Sequence, residues 1–275
     1  MELDHGAAIV TGAAGGIGST VARALVARGM AVVLSDIDGE RLETVATALA
    51  DEVPGVTLTT VQGDVGDPAH HSGLVAAAAG FGVPLRLSVL NAGVSARGLS
   101  WEMPIERWEQ TTRVNYWGVV HGLRSALTEM VPADDGWVVA VSSGAGLVAT
   151  PGLAPYVATK HAVVGLMEST HHELARIDSR VGVSVICPGN IATDMPLRNP
   201  SGAAEGPHAR TVEHLESVIR SGVDGGAPPE TVSEALVEGV EADRFWILPQ
   251  PELGWAVTDR AHRIANGDDP ADLLG

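Results

Sequence analysis

Tyr156 and Lys160 stand four residues apart in a segment whose pattern is typical of a helix. Pro155 suits the first turn of such a helix, and a spacing of four places both side chains on one face. A free phenol has a pKa of about 10, so its use as a base near neutral pH requires ~3–4 kcal/mol of preference for the phenolate. An ammonium ~4 Å away supplies about 4 kcal/mol at an effective dielectric near 20. The pair therefore predicts a tyrosine that acts as a general acid or base.

The composition singles out this lysine. Lys160 is the only lysine of the chain, and the other 16 of its 17 basic residues are arginine. A general bias toward arginine explains that ratio. Under such a bias, a remaining lysine indicates a position where a guanidinium cannot do the same work.

A glycine-rich turn near the start of the chain reads Thr-Gly-Ala-Ala-Gly-Gly-Ile-Gly over residues 11–18. It follows a predicted strand and opens a predicted helix, which is the setting that distinguishes a dinucleotide-binding turn from an ordinary tight turn. Glycines at these positions permit a sharp turn, close approach of a pyrophosphate and close helix–strand packing, while the helix N-terminus offers N–H groups. We therefore expect cofactor contacts from Gly12, Gly16, Ile17 and Gly18.

Asp36 ends the second predicted strand, where a carboxylate can accept hydrogen bonds from an adenosine ribose. The same carboxylate would repel a 2′-phosphate, at a cost of about a few kcal/mol at ~4 Å. This predicts NAD as the cofactor, with NADP disfavoured. Arg41 lies close enough in sequence to soften that preference, although an ion pair on the helix surface is its expected role. A helix N-cap is the alternative role for Asp36.

Short β-branched runs alternate with helix-length amphipathic segments, the pattern of βαβ units. Strands are predicted at Ala7–Thr11, Ala31–Ser35, Thr57–Gln62, Leu85–Leu90, Trp137–Ser142, Gly182–Cys187 and Arg244–Leu248. Helices are predicted near Gly16–Arg28, Gly39–Asp51, Ala69–Ala79, Ile105–Met130, Pro155–Ile177, Thr211–Arg220, Pro229–Ala242 and Leu253–Ala265. The expected fold is α/β: a single doubly wound Rossmann-type domain with a seven-stranded parallel sheet and helices on both faces.

A length of 275 residues suits one such domain over residues 1–275. A stretch rich in Gly, Pro, Ser and Ala predicts a flap over about residues 194–228, and residues 249–275 form a polar tail.

The formal net charge of −17, with no Lys/Arg cluster, argues against nucleic acid and anionic membrane surfaces as partners. Short apolar runs, a polar N-terminus and a single cysteine, Cys187, lead us to expect a cytoplasmic protein.

Further motifs follow in a specific order and spacing: Asp64-Val65, Asn91-Ala92-Gly93, Asn115, Ser142-Ser143, Tyr156-x-x-x-Lys160 and Pro188-Gly189-x-x-x-Thr193. With the glycine turn, they resemble the short-chain dehydrogenase/reductase family in its shorter-subunit branch. The resemblance extends from about Gly6 to Leu248.

The resemblance assigns roles to the reacting groups. It implies that Ser143 polarises the substrate oxygen, with Ser142 turned the other way by strand alternation. Lys160 would also bond the nicotinamide ribose, and Asn115 would hold a water that links Lys160 to solvent. Asn115 is expected to interrupt the predicted helix at residues 105–130, because Asn is unfavourable in a helix interior. A plain polar residue at a helix kink is the alternative role for Asn115.

The resemblance also implies further cofactor contacts. Asp64 and Val65 would touch the adenine, and residues 91–93 would close the fourth strand beneath the cofactor. The loop after the sixth strand would bind the cofactor through Pro188, Gly189, Ile191 and Thr193, of which Ile191 and Thr193 would contact the nicotinamide amide. Tyr156 and Lys160 are also implied as cofactor-binding residues. Structural roles are the alternatives: Asp64 as a turn cap, Asn91-Ala92-Gly93 as a backbone support, and Gly93 in particular as a backbone device.

The expected function is an NAD-dependent oxidoreductase that interconverts a secondary alcohol and a ketone. Pocket walls are expected from residues 94–99, 144–153 and the flap, with apolar side chains at Leu147, Val148, Leu153 and Met195. They favour an apolar substrate, while Arg97 and Arg198 leave room for a carboxylate or phosphate group, although both arginines are expected to be exposed to solvent. One rival is an NADPH-dependent 3-oxoacyl reductase, which Asp36 disfavours. The other is an epimerase or dehydratase of the longer-subunit branch, which the glycine spacing and a chain too short for the extra substrate domain disfavour. A non-catalytic dinucleotide sensor would not need Ser143, Tyr156 and Lys160 together.

Two histidine pairs, His70-His71 and His171-His172, lack the spacing of a helical metal motif, so we expect solvated helix faces and no metal. Family members commonly pair their two long helices, which here are residues 105–130 and 155–177. The resemblance therefore implies a homodimer or homotetramer.

Overall fold

The computed structural model of the protein describes residues 1–195 and 207–272. Within them, seven parallel strands form one sheet in the order β3-β2-β1-β4-β5-β6-β7. The strands are β1 Ala7–Thr11, β2 Ala31–Asp36, β3 Leu58–Gln62, β4 Leu85–Leu90, β5 Trp137–Val141, β6 Gly182–Ile186 and β7 Trp246–Ile247. The helices are α1 Gly16–Val26, α2 Gly39–Glu52, α3 Pro68–Ala79, α4 Ile105–Thr112, α5 Gly118–Ala133, α6 Ala154–Arg176, α7 Ala209–Asp224, α8 Glu230–Glu241 and α9 Leu253–Asn266. The predicted doubly wound fold is confirmed.

Helices cover both faces of the sheet, which explains why its central strands read as unbroken apolar runs. Buried residues of α1, α2 and α8 pack on one face with alternate residues of β1, β2 and β4. Buried residues of α5 and α6 pack on the other face, where α3 adds a smaller cluster. No helix within residues 1–195 and 207–272 has both the length and the apolar character needed to cross a membrane.

The strand order reverses between β1 and β4, because β2 and β3 lie on one side of β1 and the remaining strands on the other. In open α/β sheets, ligands bind at the carboxyl ends of the strands beside such a reversal. Here the carboxyl ends of β1, β2 and β4 are followed by the glycine turn, Ile37 and Asn91. The topology therefore brings the predicted cofactor residues to one edge of the sheet.

The predicted long helix at residues 105–130 is interrupted. A π-helical turn, Arg113–Trp117, joins α4 to α5 and contains Asn115, so the prediction that Asn115 breaks the helix is confirmed. The last strand is shorter than the predicted Arg244–Leu248. It is an edge strand that pairs only with β6 among the described residues, so few of its residues join the ladder.

Candidate active site

A cleft of about 320 Å³ lies at the carboxyl edge of the sheet, beside the point where the strand order reverses. Its walls come from segments far apart in sequence: the glycine turn, the ends of β2 and β4, the π-helical turn and the loop that follows β6. The lining residues are Gly12, Gly15, Gly16, Ile17, Asp36, Ile37, Asp64, Val65, Asn91, Ala92, Gly93, Val94, Gln110, Arg113, Val114, Thr193, Asp194 and Met195.

The glycine turn adopts a conformation that side chains would disrupt. Gly12 and Gly16 have φ of +69° and +54°, in the left-handed region that favours glycine. A Cβ on Gly18 would lie 2.1 Å from the Gly12 carbonyl oxygen, which shows how closely α1 approaches the turn. The first turn of α1 carries no acidic residue, and no described side chain caps it. Its N–H groups therefore suit the phosphates of a dinucleotide, and the residues present fit that group.

Asn91 supports this turn from β4. Its side-chain nitrogen donates hydrogen bonds to the carbonyl oxygens of Thr11 (2.9 Å) and Gly12 (3.2 Å), and its backbone N–H donates to the Thr11 hydroxyl at 3.0 Å. Ala92 N–H donates to the same hydroxyl at 3.1 Å. These bonds favour the structural alternative for Asn91, although Asn91, Ala92 and Gly93 all border the cleft.

Asp36 lies at the cleft with each carboxylate oxygen accepting one backbone hydrogen bond. The donors are Ala14 N–H at 3.0 Å and Asp38 N–H at 3.1 Å. The N-cap of α2 is Asp38, which accepts from Arg41 N–H at 3.1 Å. The helix-cap alternative for Asp36 is therefore wrong, and its carboxylate is fixed at the cleft wall.

Asp64 and Val65 border the same cleft after β3. Burial by itself would raise the pKa of Asp64, but hydrogen bonds from the Arg113 guanidinium and from Gly66 N–H hold it below its ordinary value. The Val65 carbonyl accepts a 2.9 Å hydrogen bond from the His71 ring.

The first histidine pair is buried at His71 and partly buried at His70, contrary to the expectation of a solvated helix face. His71 is buried, and the ring of His70 shares a 2.8 Å hydrogen bond with the Ser35 hydroxyl. Burial lowers the pKa of both rings. The second pair, His171-His172, is exposed as expected. Because β2, α3 and the loop after β3 meet here, the first pair supports the cleft wall.

Ser143, Tyr156 and Lys160 come together where β5 ends and α6 begins. The Ser143 hydroxyl hydrogen-bonds the phenol of Tyr156, and its oxygen also accepts from Ala145 N–H at 3.1 Å. Lys160 is almost fully buried, with Nζ 5.5 Å from the centroid of the Tyr156 ring. Nζ donates a 2.7 Å hydrogen bond to the Val141 carbonyl. The end of β5 and the first turns of α6 thus place the three side chains close to one another.

Gly93 lies next to both the reacting side chains and the cleft. A Cβ there would lie 3.6 Å from Lys160 Nζ and 3.4 Å from Asn115 Oδ1. Gly93 also lines the cleft, so the lysine ammonium reaches the wall of the proposed cofactor site.

The ionisation of the pair differs from the sequence-based expectation. Burial raises the pKa of Tyr156, although the Ser143 hydroxyl lowers it in part. Burial also lowers the pKa of Lys160 from 10.5 to about 8. In the chain by itself the pKa of Tyr156 is thus raised and not lowered as the sequence argument expected, because desolvation disfavours the phenolate.

Asn115 is fully buried, and its side chain clamps the loop after β4. Its Oδ1 accepts from Val94 N–H at 2.8 Å, while Nδ2 donates to the Val94 carbonyl at 2.9 Å and to the Thr159 hydroxyl at 3.2 Å. These partners occupy the side-chain amide. Asn115 thus joins the π-helical turn, the β4 loop and α6.

The loop after β6 carries Pro188, Gly189, Ile191 and Thr193, of which Thr193 lines the cleft. Gln250 holds this loop: its Oε1 accepts from Gly189 N–H at 2.9 Å, and its Nε2 donates to the Asn190 carbonyl at 3.3 Å. Sequence reasoning missed Gln250. It lies in the segment after the last strand, where neither periodicity nor a motif marks it.

The three predicted substrate walls meet beside the reacting group. Gly98 N–H donates to the Gly152 carbonyl at 3.0 Å, and Gly152 packs on Leu215 and Ile219 of α7. Arg97 is half-buried, contrary to the expected solvent exposure. Burial lowers its pKa, which nearby Glu216 raises and Arg220 lowers. Arg198 and part of the flap lie outside the described residues.

Known proteins resemble the chain over three quarters of its length or more. It is 32% identical over 272 residues to the D-beta-hydroxybutyrate dehydrogenase of Rhizobium meliloti, covering 98% of this chain and 94% of that protein. It is 36% identical over 210 residues to the 3-alpha-(or 20-beta)-hydroxysteroid dehydrogenase of Mycobacterium bovis, covering 76% and 78%. The crystal structure of a short chain dehydrogenase/reductase from Burkholderia phymatum in complex with NAD superposes with a TM-score of 0.92 at 30% identity. That match covers 100% of this chain and 99% of the other.

The family model for short chain dehydrogenase matches residues 6–202, which include the glycine turn, the reacting side chains and most of the cleft. The relatives that share this architecture are named dehydrogenases. The chain belongs to the short-chain dehydrogenase family of oxidoreductases.

Proposed function

We propose that the protein is an NAD-dependent oxidoreductase that interconverts a secondary alcohol and a ketone, with Tyr156 as the general acid and base. The observation that carries this proposal is the contact between the Ser143 hydroxyl and the Tyr156 phenol beside the buried Lys160 ammonium. Gly93 places that ammonium at the wall of a cleft that fits a dinucleotide. A protein that only binds a dinucleotide would not need Ser143, Tyr156 and Lys160 in this arrangement.

The protein residues handle the proton and the charge on oxygen. In oxidation, the Tyr156 phenolate takes the proton of the substrate hydroxyl, and in reduction the phenol returns it to the oxygen of the ketone. The Ser143 hydroxyl donates to the substrate oxygen and stabilises charge that develops there. A bound nicotinamide accepts or supplies the hydride.

The raised pKa of Tyr156 keeps the phenol protonated at neutral pH in the chain alone. That state is ready to donate a proton to a ketone. Proton removal from an alcohol requires positive charge near the phenol, and Lys160 is placed to contribute it.

The charges around the cleft support NAD as the cofactor. Among the described residues that line it are three carboxylates, Asp36, Asp64 and Asp194, and one guanidinium, Arg113. The hydrogen bonds of Asp36 hold its carboxylate at the end of β2, where the ribose of an adenosine is expected. A 2′-phosphate at that place would meet excess negative charge. The match to a structure in complex with NAD also supports this choice.

An apolar secondary alcohol or ketone is the proposed substrate class. Leu147, Val148 and Leu153 lie in the expected wall, and Met195 lines the cleft. The hydroxysteroid dehydrogenase among the relatives supports an apolar substrate, whereas the hydroxybutyrate dehydrogenase supports a hydroxy acid.

We also propose a homo-oligomer formed through the two long helical segments. Trp117 lies on the π-helical turn between α4 and α5, remains 48% exposed and stacks on His121. Covering such an apolar surface would favour association.

The test is NADH formation from NAD by the purified protein on a panel of secondary alcohols, including steroids and 3-hydroxy acids. NADP serves as the alternative cofactor, and Tyr156→Phe as the matched variant. We expect turnover with NAD that falls by at least about a thousandfold in the variant, while NADH binding stays within about threefold of wild type.

Each rival function has its own outcome. Turnover only with NADPH and 3-oxoacyl substrates would favour the 3-oxoacyl reductase. Tight NADH binding without turnover of any substrate would favour the dinucleotide sensor. Retained turnover in Tyr156→Phe would overturn the assignment of the acid and base.

A further inference from the structure

An ion pair crosses between two walls of the cleft. Nη2 of Arg41 lies 2.7 Å from Oδ2 of Asp194, and the two side chains are 45% and 35% exposed. Arg41 lies in the first turn of α2, just after Asp36 and Ile37, which line the adenosine side of the cleft. Asp194 lines the opposite wall, directly after Thr193. The sequence suggested a surface ion pair for Arg41, and the structure shows a partner on the loop after β6.

The ion pair with Asp194 occupies a guanidinium that lies five residues after Asp36, the carboxylate beside which a 2′-phosphate would lie. A phosphate beside the Asp36 carboxylate is repelled unless a cation lies close to it, and guanidinium groups bind phosphate in a bidentate geometry. Arg41 is the cation nearest to Asp36 in sequence. Arg113, which also borders the cleft, is paired with Asp64.

We propose that Asp194 is a specificity-determining residue, which favours NAD over NADP by holding the Arg41 guanidinium away from the adenosine ribose. The proposal rests on the proposed function and extends it, because the selectivity then depends on both walls of the cleft. Asp36 repels the 2′-phosphate, and Asp194 occupies the cation that would offset this repulsion.

The experiment is a titration of the purified protein with NADH and with NADPH, following cofactor fluorescence, and its readout is the ratio of the two Kd values. The variants are Asp194→Asn, Arg41→Gln and the double variant. Asp194→Glu keeps the charge and serves as the conservative variant. Asp259→Asn is the matched control, because it breaks a comparable half-exposed ion pair with Arg263 on α9, away from the cleft lining.

Release of Arg41 should shift the ratio toward NADPH by about threefold to fivefold in Asp194→Asn, because a half-exposed ion pair holds the guanidinium with no more than ~1 kcal/mol. The double variant should return to the wild-type ratio, because it lacks Arg41, the guanidinium that Asp194→Asn releases. Asp194→Glu and Asp259→Asn should keep the wild-type ratio. Half-exposed ion pairs contribute little to stability, so we expect all variants to fold.

Two results would overturn the role of Asp194. One is an unchanged ratio in Asp194→Asn while NADH binding is retained. The other is an equal gain in the double variant, which would show that lost negative charge alone is responsible. If Asp194→Asn does not bind NADH, Asp194→Ser is judged by the same two criteria. A wild-type preference for NADPH would overturn the NAD proposal itself, which separates the two failures.

Discussion

We expect the free energy of unfolding to rise at alkaline pH because Lys160 is buried. A neutral residue at position 160 should abolish this rise. Burial lowers its pKa in the folded state to about 8, from the ordinary value of 10.5. The unfolded chain has no such burial. Between these two pH values the unfolded chain therefore binds one more proton than the folded protein.

The free energy of unfolding rises with pH wherever the unfolded state binds more protons. The rise begins near pH 8, ends near pH 10.5, and amounts to about 3 kcal/mol, because each tenfold change in proton affinity is worth ~1.4 kcal/mol. At neutral pH the protein thus carries the cost of a buried ammonium, partly offset by the Nζ bond to the Val141 carbonyl.

The assay is urea unfolding of wild type and Lys160→Met at a series of pH values from about 7 to 10.5. The difference between the two proteins isolates the lysine, because the other titrating groups are common to both. We expect wild type to gain about 2–3 kcal/mol relative to the variant across this range. A difference that stays constant with pH would refute the argument that burial depresses the pKa of Lys160.

Four further changes test the site and the packing around it. Asn115→Ala removes three buried hydrogen bonds and should lower the free energy of unfolding by about 3 kcal/mol in urea. Gly18→Ala places a Cβ against the backbone of the glycine turn and should weaken NADH binding by more than about tenfold. Gly73→Ala on α3, where a Cβ would meet no described atom within 4 Å, should stabilise the protein by ~0.5–1 kcal/mol. Ser184→Ala leaves the buried Trp137 indole N–H without its acceptor and should cost about 2 kcal/mol, measured the same way. Unchanged values in these variants would contradict the packing described for each site.

Local pattern was enough to predict most of the framework. The alternation of apolar strands and amphipathic helices depends on neighbours within a few residues, so the seven strands and the doubly wound order followed from it. The glycine turn and the Tyr156–Lys160 pair are also local, because a single strand–turn–helix or a single helix face brings their atoms together. The break at Asn115 was predictable for the same reason.

Tertiary structure alone decided which distant groups meet. The Arg41–Asp194 ion pair and the hydrogen bond from Gly189 N–H to Gln250 join segments that are far apart in sequence, and no local pattern predicts that they meet. The pKa of Tyr156 moved opposite to the sequence argument, which counted one charge at an assumed distance and omitted the burial of the phenol. Burial depends on how all neighbouring elements pack, so the sequence determined which groups could react, and the fold determined their charge states and their partners.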